Sequence, residues 1–174
     1  MKAQNLSSSY PLTFITLRPY VEPGTFAIKQ GIVLLWAFWL STIVVLNVLD
    51  GLKGAGILPQ GFKLSSTNFT SMLKLTAVYS TPRWLVWILY AGAVVWEALA
   101  AFLLWRALSS GLNLGAVNLA FLVSLALWGM FIWMDEIFLT FVVEGQGGYS
   151  TSAAHRSIFT AFLVSLIALY VLPD

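Results

Sequence analysis

Four long apolar blocks organise this chain, and each is bounded by segments rich in glycine, proline, serine or charge. The blocks lie over about 29–49, 83–106, 114–143 and 153–172. In the first, Gly31-Ile32-Val33-Leu34-Leu35-Trp36 and Val44-Val45-Leu46 are apolar on every face, with no polar side of the kind a soluble surface helix keeps. A helix rises about 1.5 Å per residue, so some 20 apolar residues cover the hydrocarbon core of a bilayer. The pattern predicts an all-α integral membrane bundle of four transmembrane helices, with both termini on one side.

The segments between the blocks add detail. Residues 1–28 hold Ser7–Ser9, Pro11, Pro19 and Pro23 without helical periodicity, and are expected to form an extended N-terminal arm. Its apolar residues Phe14, Ile15, Leu17, Tyr20 and Phe26 suit a membrane surface or a neighbouring subunit that would pin it. Asp50-Gly51 is expected to close the first span. In the first loop, Gly54, Gly56, Pro59 and Gly61 break structure. Then Phe69, Met72, Leu73 and Val78 alternate with Asn68, Ser71, Lys74 and Ser80, which predicts a short helix lying in the interface. Pro82 suits the start of the second span. Trp84 and Trp87 near one end of that span, and Trp105 at the other, are placed as interfacial aromatics are. Ser109-Ser110-Gly111 reads as a tight turn and Gly145-Gln146-Gly147-Gly148 as a flexible loop. Ala91, Ala98 and Ala101 offer a small-residue face on the second helix.

Composition agrees with lipid as the solvent. The chain has 174 residues, 59% hydrophobic and 9% charged, with a mean hydropathy of +0.86. Soluble domains carry about 25% charged residues. A net charge of +2 without a basic stripe argues against a nucleic-acid partner. The absence of cysteine removes disulfides, thiolate metal sites and cysteine nucleophiles. About 28 mostly polar residues precede the first block and no small-x-small site follows it, so that block is expected to be a span rather than a cleavable signal. Lys2, Arg18, Lys29 and Arg106 fall on the terminal side, and Lys53, Lys63, Lys74, Arg83 and Arg156 on the other; this balance leaves the orientation open.

Depth then sorts the polar residues. Asp50, Arg83, Asp135, Glu136, His155 and Arg156 all fall near the loop side, opposite the termini. In a low-dielectric setting they should pair, with Arg83 or Arg156 joined to Asp135 and Glu136. Such a cluster reads first as an ion-pair lattice tying helix ends together. It also suits proton or solute access, or contact with a partner subunit. Glu97 lies about 21 Å along the helix from Arg83 and about 13 Å from Arg106, inside the hydrocarbon. It is expected to be satisfied within the bundle, to take part in a proton relay or cofactor site, or to bond a partner's helix. Ser124 and Ser165, with Ser41 or Thr42, are the hydrogen-bonding residues expected at its depth. His155, the single histidine, is either an interfacial hydrogen-bonded residue or a ligand for haem or a chlorophyll magnesium. Phosphate-binding glycine loops, His-Glu-x-x-His and nucleophile elbows are absent, so neither a catalytic residue nor a metal site is assigned.

The chain resembles the bacterial family of small integral membrane proteins termed domain of unknown function 2165. Asn47-Val48-Leu49-Asp50 is similar to the element that closes that family's first span, and Glu97-Ala98-Leu99 to its mid-membrane Glu-Ala-Leu. Glu136-Ile137-Phe138 and the ending Leu172-Pro173-Asp174 complete the resemblance, which covers about residues 30–174. The chain departs from the family in its first loop, where Ser71-Met72-Leu73-Lys74 replaces a His and Met-Asp element. The resemblance implies the four-span fold, a bacterial cytoplasmic membrane, and Asp50, Glu97 and Glu136 as positions of interest; it implies no activity.

Three functions remain. The first is an accessory subunit of a larger, energy-transducing membrane complex, gripping other integral subunits and lipid through its arm and helices. The second is a small proton-coupled transporter or channel using Glu97 and the Asp50, Asp135, Glu136 mouth. The third is a haem or pigment carrier using His155.

Overall fold

A computed structural model describes residues 23–139 and 148–173. Among them the structure is all-helical: α1 (Pro23–Gly54), α2 (Asn68–Ala77), α3 (Arg83–Ser109), α4 (Leu114–Leu139) and α5 (Gly148–Val171). Four stretches, Gly24–Gly54, Arg83–Ser109, Leu114–Phe138 and Ser152–Val171, are long and apolar enough to cross a membrane. The remaining helix, α2, has only ten residues and cannot span. Residues 1–22 of the expected arm, and Gly145-Gln146-Gly147 of the expected loop, lie outside the described residues.

Helix α3 runs to Ser109 rather than Arg106, and α5 starts at Gly148 rather than Ala153, taking in the last glycine of the expected loop; both ends of α1 differ as well. Helix α1 starts at Pro23, inside the expected arm, where proline's fixed φ and missing N–H suit a first helical residue. It also runs through Asp50-Gly51 to Gly54. The Asp50 side chain turns inward to donors on other elements, so it does not compete with its own backbone and the helix continues.

The helices pack in the order α1–α3–α4–α5, with α2 tucked against α1, α3 and α4. The main core forms where Val33, Ala37 and Leu40 of α1 meet Ala100, Ala101, Leu104 and Ala107 of α3, followed by Val117, Ala120, Phe121 and Leu127 of α4. The small buried residues of α3 let helix backbones approach closely, as membrane bundles require. The expected small face is shifted: Ala91 is exposed, while Ala100 and Ala107 are fully buried. Helix α5 rests on α4 and meets α1 through aromatic side chains. Phe162 stacks on Trp36, whose indole donates to Ser165 Oγ at 2.9 Å.

Turn chemistry sets the connections. Gly111 has φ 68° and ends α3 in the left-handed region that glycine enters without strain. Asn113 then caps α4 by accepting from Gly115 N at 3.0 Å.

Candidate functional site

The inward stripe of α1 changes character along its length. Val33, Ala37 and Leu40 are apolar, but the same face continues through Asn47 and Asp50, each only 3% exposed. The spacing of three, four and seven residues keeps all five on one side of the helix. Across from them, α3 presents Tyr90 and Glu97, 5% and 3% exposed. Polar groups so placed in hydrocarbon must satisfy one another.

They do. Asn47 Nδ2 donates to Glu97 Oε2 at 2.8 Å. Asn47 Oδ1 in turn accepts from Asn68 Nδ2, at the start of α2, at 2.8 Å. The Tyr90 hydroxyl donates to the Asn47 backbone carbonyl at 2.7 Å. One residue of α1 thus touches both other elements, through its side chain and its backbone.

Asp50 extends this network toward the loop. Its Oδ2 accepts from Phe69 N at 2.8 Å and from Ser66 Oγ at 3.1 Å, with the Tyr90 hydroxyl at 3.4 Å. The first bond satisfies a backbone N–H at the start of α2, which no Thr67 side-chain bond caps. A carboxylate there also complements the helix dipole. Close apolar contact completes the junction. Phe69 packs on Trp87 with ring centroids 4.1 Å apart, and a Cβ at Gly54 would overlap the Phe69 ring.

The expected charged mouth therefore does not form one lattice. Asp50 faces α2 and α3. Arg83 donates to the Gly54 carbonyl at 3.3 Å and reaches neither Asp135 nor Glu136. The other four residues pair between α4 and α5: Arg156 with Glu136, and His155 Nδ1 with Asp135 Oδ2 at 2.7 Å. Depth along a helix fixes one coordinate only; the direction each side chain faces separates the two groups.

Glu97 is hydrogen-bonded within the bundle, but not to the serines and threonine expected at its depth. Ser124 donates to its own helix at Ala120, and Thr42 to Phe38. Ser165 accepts from Trp36, and Ser41 from Trp105. The partner is Asn47, which the depth estimate passed over because α1 was expected to stop at Asp50. In the fold Asn47 lies on the face defined by the buried Val33, Ala37 and Leu40; in the sequence its one mark was its place in the Asn47-Val48-Leu49-Asp50 element.

On the α4–α5 side, the His155 ring stacks on Phe131, centroids 5.1 Å apart, and lies beside Trp128 at 5.7 Å. An ionised Asp135 carboxylate can only accept, so Nδ1–H of His155 donates to Oδ2 in this contact. A carboxylate behind a histidine is the support a metal-ligating histidine commonly has. Among the described residues, no group of three His, Asp or Glu side chains could hold a metal ion.

Neither a family model nor a curated protein nor a solved structure matches the chain.

Proposed function

We propose that the chain is a non-catalytic accessory subunit of a larger membrane complex, energy-transducing and in the bacterial cytoplasmic membrane. The observation that carries this reading is the Asn47–Glu97 bond. It commits the mid-membrane carboxylate to holding α1 against α3. Outward from Glu97 the hydrogen bonds run through the amides of Asn47 and Asn68. An amide donates and accepts but has no titrating proton to pass on, so this line suits a brace better than a relay. The outer helix supports the same reading: only 6% of the apolar stretch of α5 is buried, against 22–33% in the other three, which leaves α5 broad surface for neighbouring spans and lipid. Extraction from the native membrane in mild detergent should bring the chain out in fixed stoichiometry with larger subunits. Recovery as a lone monomer would contradict the proposal, as would proton flux in liposomes abolished by Glu97→Gln.

Asp135 behind His155 favours a second reading, a haem or pigment carrier. It requires a Soret or chlorophyll band in the purified protein that disappears in His155→Ala.

A further inference from the structure

The loop-side end of the bundle is divided electrically. Over α4 and α5, Glu136 faces Arg156 and Asp135 faces His155. Over α1, α2 and α3, four cations gather: Lys53, Lys63, Lys74 and Arg83. Glu97 lies deeper in the bundle, and the one carboxylate at this end of that half among the described residues, Asp50, is buried and directed inward to Ser66, Phe69 and Tyr90. It cannot neutralise the outer surface.

Hydrogen bonds tie two of these cations to the backbone of the cap. Lys53 Nζ donates at 3.2 Å to the carbonyl of Phe62, the residue that precedes Lys63. Arg83 donates to Gly54 O, one residue beyond Lys53. Lys74 stands exposed on α2, which is anchored to α1 and α3 by Asn68 and Phe69. Lys63 and Lys74 have no carboxylate partner among the described residues.

The same cap exposes large apolar side chains: Ile57 (69%), Leu64 (65%), Val78 (61%) and Trp84 (63%). Aliphatic groups and an indole at the ends of two spans suit the boundary between headgroups and acyl chains, where lysine stems lie along apolar matter and their ammonium groups reach outward. Their charges then stand at phosphate level.

We propose that the α1–α2–α3 cap is a binding surface for anionic phospholipid headgroups, with Lys63 and Lys74 as its principal contacts and the α4–α5 half of the same face indifferent to lipid charge. Each cation near an anionic leaflet favours it by about fivefold. The test is native mass spectrometry of the full chain from micelles holding equimolar phosphatidylglycerol and phosphatidylcholine. Phosphatidylglycerol adducts should dominate. The Lys63→Gln/Lys74→Gln double variant, which removes no hydrogen bond named here, should lower the ratio of the two adducts about tenfold or more. Arg156→Gln and Arg106→Gln should leave it nearly unchanged, and an unaltered melting curve in detergent shows that the double variant is folded. Equal adducts in the original protein, an unchanged ratio in the double variant, or an equal fall in either arginine variant overturns the proposal.

Discussion

The two halves of the bundle use polar residues in opposite ways. Where α1, α2 and α3 meet, Asn47, Asp50 and Glu97 are buried, and bonds join side chains and backbone of all three elements. Where α4 meets α5, Glu136 and Arg156 keep 52% and 59% of their side chains exposed, while Asp135 and His155 beside them keep 11% and 21%. Water or headgroups can replace a lost partner at the Glu136–Arg156 pair, whereas hydrocarbon cannot at Asn47, Asp50 or Glu97. Residues of similar charge at similar depth thus carry different consequences, decided by the face they occupy.

Substitutions can break this contrast. The largest loss is expected from Asn47→Leu, which strips Glu97 of its donor and Asn68 of its acceptor; about 2–3 kcal/mol should disappear in reversible unfolding in micelles. Asp50→Ala should cost about 2 kcal/mol, concentrated at α2, because Phe69 N and Ser66 lose their acceptor. Hydrogen exchange should then rise across α2 while α4 stays protected; uniform loss of protection would contradict the local anchoring. Tyr90→Phe removes the donor to the Asn47 carbonyl while leaving the ring against Phe69, and should cost about 1 kcal/mol. Arg156→Gln stands at the bottom of the order, at less than about 0.5 kcal/mol, since an exposed pair contributes little. Should Arg156→Gln destabilise as much as Asp50→Ala, the division between the halves would be lost.

The four spans were legible because hydropathy over some 20 residues is a strong signal, and the short helix of the first loop because Phe69, Met72 and Leu73 alternate with polar residues. The site was legible residue by residue but not as a grouping. Asp50, Glu97, Asp135 and His155 were all singled out, yet their pairing depended on azimuth, which the apolar-all-round spans conceal. In α1 the inner face is marked by the stripe Val33-Ala37-Leu40, which burial in the fold reveals, and continuing it by seven residues reaches Asn47. The end of α1 was missed for a related reason. Asp50-Gly51 has the local chemistry of a helix stop, and the tertiary donors Phe69 N and Ser66 Oγ override it.

Glu97 accepts from Asn47 across the seam of α1 and α3, the bond on which its role as a brace rests. The most direct test of that role is a double-mutant cycle with Asn47→Leu and Glu97→Leu, read as unfolding free energy in micelles. The account predicts a coupling of about 0.6–1.7 kcal/mol between the two positions, the range of interhelical hydrogen bonds in membranes. Additive losses, with no coupling, would contradict it.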